Sequence, residues 1–190
     1  MGLKRIIPPN ESPISLTLAK EHLRATHDEE DATIQLYIDA AVESLDGAGG
    51  MLGRALMPQT WELALDAFPC GDIAVPLPPL QSVVWIKYFN PAGTETTLAA
   101  DQYLVDTHNE PGRISPVDFW PSTECRINAV RVRFLAGYAS AAAMPQQLRA
   151  ALLLRIGSAF ESRQDVGEGI AFASNPTFDL LTFPFRVLRL

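Results

Sequence analysis

The sequence predicts an α+β fold, a helical bundle built from the N- and C-terminal helices with an inserted antiparallel β region. Two observations carry this. Apolar residues recur at steps of three and four near residues 16–45 and again over 148–160, the spacing of a one-sided helix. Between these stretches, from Thr60 to Phe134, the apolar period falls to two and turn residues punctuate the chain, as in short strands. The expected helical core is residues 1–56 and 143–190, and the expected β insert is 57–142. No internal repeat argues for another organisation.

After an extended, proline-punctuated leader, Ser15 is placed to cap a short helix running to about Ala25, with Leu16, Ala19 and Leu23 on one face. Asp28, Glu29, Glu30 and Asp31 open a second helix, where carboxylates suit the positive end of the dipole. Its stripe is Ile34, Ile38, Ala41 and Leu45, and Gly47, Gly49 and Gly50 end it. Trp61, Leu63 and Leu65 then alternate with Thr60, Glu62 and Ala64 in a half-buried strand. Further strands are expected at 73–75, 82–89, 96–98, 103–106, around Ile114 and at 129–134, with a hairpin at Asn90-Pro91-Ala92-Gly93. Pro145 suits the first position of a helix whose Leu148, Leu152, Ile156 and Phe160 are expected to face the second helix. Residues 164–175 read as a loop, and 176–190 as a last helical or extended segment.

The composition excludes several classes. The chain has 190 residues, 47% of them hydrophobic and 19% charged, which is too apolar for a disordered protein. A net charge of −7 and the lack of a Lys/Arg cluster argue against a protein that grips nucleic acid by its phosphates. No apolar run reaches the length of a membrane span, and no secretory leader is read at Met1–Pro13. The protein is expected to be soluble and made in a cytoplasm, with Cys70 and Cys125 as unpaired thiols.

The search for chemistry finds no site. His22 and His27 are five apart and do not share a helix face, and neither cysteine belongs to a CxxC pair. Asp28 to Asp31 lack the glycine and spaced oxygens of a calcium loop. Gly47-Ala48-Gly49-Gly50 follows a helix rather than a strand, so it is no phosphate cradle. A hydrolase built on Asp66, Asp101 or His108 has no motif behind it. The expectation is therefore no enzyme, no catalytic residue, no metal and no cofactor. Arg131 and Arg133, with Arg126 near them, admit two readings: a phosphate-facing strip, or an outer sheet face neutralised by carboxylates. Trp61, Trp85 and Trp120 read as core or interface anchors.

Several segments in order give a resemblance. Ser15-Leu16-Thr17-Leu18-Ala19-Lys20-Glu21-His22-Leu23-Arg24 is followed by an acidic gap and a long helix ending in Leu52-Gly53-Arg54-Ala55-Leu56. Then come Gln59-Thr60-Trp61-Glu62-Leu63, Pro79-Leu80-Gln81-Ser82-Val83, Tyr103-Leu104-Val105-Asp106 and Glu110-Pro111-Gly112-Arg113-Ile114. Ala129-Val130-Arg131-Val132-Arg133-Phe134 with Ala136-Gly137-Tyr138 closes the insert. From about residue 14 onward this layout resembles the phage head–tail connector family, the head-completion adaptors, in its longer members with a β insert. The family's third helix often ends in an aromatic pair before its arginine, whereas Ala159-Phe160-Glu161-Ser162-Arg163 supplies one aromatic.

The resemblance implies a structural virion protein at the head–tail junction, assembled in the bacterial host cytoplasm, of a phage, a prophage or a gene transfer agent. It implies a ring, typically of twelve subunits, between the portal protein and a tail-side stopper or tail terminator. DNA passes its channel without specific binding, and no membrane is involved. Alternatives are another virion part such as a tail-completion protein, or a DNA-packaging protein of the small-terminase kind. The C-terminal residues Phe185, Arg186, Val187, Leu188, Arg189 and Leu190 are the candidate portal-binding segment, by adding a strand to the portal's edge. The competing reading folds them back onto the helices.

Overall fold

The computed structural model describes residues 2–161 and 176–187. The expected loop at 164–175 and the last three residues, Leu188, Arg189 and Leu190, lie outside the described residues. The chain divides into two compact units, one of residues 1–10 and 57–139, the other of 11–56 and 140–190. Mixed α and antiparallel β structure is present as expected. The leader is the exception: residues 1–10 were expected with the helical core, and they belong to the β unit. Gly2–Ile7 (β1) pairs antiparallel with Gln59–Leu65 (β2), Leu3 opposite Leu63 and Arg5 opposite Trp61. Six residues without helical periodicity and a free sheet edge are enough for strand addition, and neither is visible in composition.

In the β unit, the remaining strands are Ile73–Val75 (β3), Leu80–Phe89 (β4), Glu95–Thr97 (β5), Tyr103–Asp106 (β6), Gly112–Pro116 (β7) and Val130–Ala136 (β8). They form a five-stranded sheet in the order β1-β2-β8-β4-β5 and a three-stranded sheet in the order β3-β7-β6. β8 is central because its alternation is strict: Val130, Val132, Phe134 and Ala136 are buried while Arg131, Arg133 and Leu135 are only partly covered. Register puts Leu63 and Ile86 on either side of Val132, and Trp61 and Val83 on either side of Phe134. The smaller sheet meets β4 at Gly112, where a Cβ would lie 2.6 Å from Leu80 Cδ2, so only glycine fits this approach.

The helical unit contains Leu16–Leu23 (α1), Asp31–Leu45 (α2), Gln146–Glu161 (α3) and Pro176–Thr182 (α4), followed by a single 3-10 turn at Phe183–Phe185. Ser15 caps α1, its hydroxyl accepting from Leu18 N at 3.2 Å, and Arg24 closes it in the left-handed conformation. α2 starts at Asp31 rather than at Asp28. The reason is Lys20 of α1, whose ammonium donates to both Asp28 and Asp31 at 2.6 Å and holds Asp28 in the turn before the helix. α3 packs against α1, α2 and α4. Its buried residues are Leu148, Ala151, Leu152 and Ile156, while Phe160 is only partly covered. Steps of four advance about 40° around a 3.6-residue helix, so the third step has drifted roughly 120° from Leu148 and Ala151 takes the core place.

Candidate functional site

Among the described residues no group of three or more His, Cys, Asp or Glu side chains is placed to hold a metal ion. His22 lies against α3, its Nε2 3.4 Å from where a Gly157 Cβ would stand, and His27 and His108 are exposed. Cys70 and Cys125 are free and exposed. Asp66 accepts from Asn128 N at 2.9 Å, Asp101 sits in an exposed 3-10 turn, and His108 belongs to a turn organised by Asp106. The Asn109 amide and the His108 N–H hold the Asp106 carboxyl below its ordinary range. The Asp28 carboxyl is likewise lowered, by the hydrogen bond from Lys20. These arrangements stabilise turns and bring no nucleophile to a base.

The arginine strip resolves in favour of the neutralised face. Glu62, Arg133 and Trp85 are cross-strand neighbours on β2, β8 and β4. Arg133 donates to Glu62 Oε2 at 2.7 Å and lies over the Trp85 ring at 4.5 Å. Arg131 pairs with Glu95, which Lys87 also approaches at 3.6 Å, and Arg126 faces Glu124 at 3.5 Å and lies over the Phe89 ring at 3.9 Å. Each guanidinium thus has a carboxylate, and three of the four cations a ring as well. A phosphate would have to displace these partners.

The C-terminal segment has a seat built from the loop that follows α2. Asp46 turns that loop back by accepting from Leu56 N at 2.7 Å, Gly47 donates to Arg54 O at 2.8 Å, and Gly47 and Gly53 both adopt positive φ. Arg54 is thereby buried, only 4% exposed. Its Nε donates to Phe185 O at 2.8 Å and its guanidinium stands 5.7 Å from the Phe185 ring. Val187 N donates to Leu52 O at 2.8 Å, and Arg186 reaches Asp179 at 2.8 Å and the Met51 sulfur at 3.4 Å. Phe185, Arg186 and Val187, half of the candidate portal segment, are therefore docked on their own unit. Arg54 was not singled out by the sequence reading. Its signal was present as one charge inside the apolar run Leu52-Gly53-Arg54-Ala55-Leu56-Met57.

A hydrogen bond made by a charged group contributes roughly 1.5–3 kcal/mol net. Arg54→Ala is expected to show a loss of that order in urea unfolding, together with faster proteolytic clipping near Phe183. Unchanged clipping would mean that the segment is held by other contacts.

The third surface is apolar. On the β unit, Leu104 is 65% exposed, Val117 53% and Phe119 92%. Phe119 borders an open cleft of about 360 Å³ whose walls include Phe68, Pro69, Pro116 and Trp120. Phe68 and Trp120 stack at 4.7 Å and 3°, and Trp120 Nε1 donates to Gly71 O at 2.7 Å. Of the three tryptophans, Trp61 is buried in the sheet, Trp85 sits beneath two cations, and Trp120 pins this loop. The core-anchor reading fits Trp61, whereas Trp85 and Trp120 are only half-buried.

No protein-family model matches the chain, and no curated protein matches it. Among solved structures, it is similar to a chain from the neck of an empty GTA (gene transfer agent) particle computed with C6 symmetry. The TM-score is 0.81 at 25% identity, covering 100% of this chain and 97% of that one. It also shares its fold with chains from the virion of a native gene transfer agent particle (TM-score 0.80, 24% identity) and from a native GTA neck computed with C12 symmetry (0.78, 23%). Each of those matches again covers 100% of this chain and 97% of the other. The likeness therefore takes in both units of the chain.

Proposed function

We propose that the chain is a structural neck protein of a phage-like particle, and specifically an adaptor subunit that forms a ring under the portal and joins the DNA-filled head to the tail. The observation that carries this is the end-to-end likeness to a gene transfer agent neck chain at 25% identity. The helical unit is read as the bundle that gives the ring its body. The neutralised sheet face and the net charge of −7 suit a part past which DNA slides without being held.

The portal contact is proposed to lie in the last six residues, in a narrower form than strand addition by a wholly free tail. Phe185, Arg186 and Val187 form the docked base, and Leu188, Arg189 and Leu190 carry the contact beyond it. The docking at Leu52 and Arg54 supports a fixed starting point for that contact, which lowers the ordering cost of binding.

The test uses the particle-producing host. Removal of the gene is expected to leave DNA-filled heads without tails, and the full-length chain supplied in trans restores them. Truncation after Val187 is expected to give the same tailless heads while the purified protein keeps its melting temperature. Tailed particles formed without the gene would overturn the neck role. Tailed particles formed by the truncated chain would overturn only the portal contact.

A further inference from the structure

We infer that β1 of each copy completes the sheet of an adjacent copy, so that neighbours in the ring are joined by strand exchange. The inference rests on the ring reading above and adds to it a contact between subunits.

The edge and the segment that fits it are both present in one chain. β2 places Trp61 and Leu63 in the core, and without β1 it would end the sheet with its backbone groups unpaired. The fit is given by the register: Gly2 opposite Ala64, Leu3 opposite Leu63, Lys4 opposite Glu62 and Arg5 opposite Trp61. The Arg5 guanidinium also stands 5.9 Å over the Trp61 ring. In strand addition the backbone bonds supply affinity and the alternating side chains supply register. A second copy carries the same strand and the same edge, so it offers an identical fit.

The strand is separable from the body of its own chain. No residue of β1 is buried: Leu3 and Ile6 are partly covered, and Lys4, Arg5 and Ile7 are exposed. Its principal contact is β2, so passing from one copy's β2 to another's leaves no hole in the core.

The connection that follows favours reaching outward. The register shifts between Arg5 and Ile7, a bulge that bends the strand just before Pro8. Residues 8–13 read Pro-Pro-Asn-Glu-Ser-Pro, and Pro8, Asn10, Glu11 and Ser12 are exposed. Among the described residues, no backbone–backbone hydrogen bond ties residues 8–12 into a turn. The prolines hold this linker extended, because each fixes its own φ and biases the preceding residue away from the helical region. Six extended residues span about 20 Å, so only an adjacent copy is within reach.

Exchange also has the symmetry that a ring requires. Every subunit of a closed ring meets its two neighbours through two different patches. Here those patches are the strand a copy gives and the edge it offers.

The experiment uses Gly2 and Ala64, because a Cβ at Gly2 would lie 3.9 Å from Ala64 Cβ, within the span of a disulfide. Gly2→Cys and Ala64→Cys are placed on separate chains, each also carrying Cys70→Ser and Cys125→Ser. The two chains are co-expressed in the particle-producing host, and the purified particles are oxidised. A disulfide can then form only between copies. The expected product is a covalent dimer at about twice the chain's 20.8 kDa mass. With both substitutions on one chain, a ladder of multimers is expected. Lys4→Cys with Glu62→Cys, another pair in the same register, replaces the first pair if that one fails to enter particles. No dimer from the separate chains, with an internally bridged monomer from the doubly substituted one, overturns the exchange and leaves the neck reading standing. Absence of the unsubstituted chain from particles overturns the neck reading and the inference with it.

Discussion

Gly137→Ala is expected to unfold the β unit, with a loss of more than about 3 kcal/mol in urea denaturation, because strain and clash add. Gly137 has a φ of +117°, where side chains other than hydrogen are strained, and a Cβ there would overlap the Met57 carbonyl and stand 3.0 Å from Pro58 N. The backbone cannot step aside. Gly137 N donates to Pro79 O at 2.9 Å and Gly137 O accepts from Gln81 Nε2 at 2.7 Å, so a shift breaks two bonds as well. Gly49→Ala is the control: nothing lies within 4 Å of the added carbon, and its effect is expected within about 0.5 kcal/mol. Equal stabilities for the two variants would refute this account of the turn after β8.

Leu152→Ala is expected to cost roughly 2–5 kcal/mol, the range for a buried leucine whose neighbours relax only in part. Leu152 is fully buried on α3, the helix that packs against α1, α2 and α4. Leu180→Ala on α4 removes the same atoms from a side chain that is 76% exposed, and its effect is expected to be near zero. Thermal or chemical denaturation of the two variants checks the difference. A loss below about 0.5 kcal/mol at Leu152 would place it on the surface.

How much of this was legible in the sequence depends on the range of the interaction concerned. α1, α2 and α3 were legible because each carries its apolar stripe and a start or stop signal, such as Ser15 at the start of α1 and Gly47 after α2. β2 and β8 were legible because alternation over seven residues is hard to mistake, and β4 because a β-rich run ends at the Asn90-Pro91-Ala92-Gly93 turn. β1 was not, since Leu3, Ile6 and Ile7 in a proline-bounded leader do not say which sheet edge will be free. The start of α2 was misplaced for a similar reason, because Lys20 decides it from eight and eleven residues away.

The candidate surfaces divide along the same line. The sequence by itself determined the α+β class, the absence of any motif for catalysis, and an acidic balance unsuited to gripping DNA, because those follow from local period and from counting charges. Only the tertiary structure decided that Arg131 and Arg133 are neutralised, since Glu62 and Glu95 reach them across strands that the sequence separates by dozens of residues. The same holds for Arg54, which lies 131 positions before the Phe185 carbonyl it holds. Phe119 shows the converse. Its sequence neighbours Asp118, Trp120 and Pro121 mark a loop, and whether an aromatic in a loop folds inward or stands out depends on what pins the loop. Here Trp120 took the inward place on Phe68 and Gly71, and that left Phe119 facing solvent.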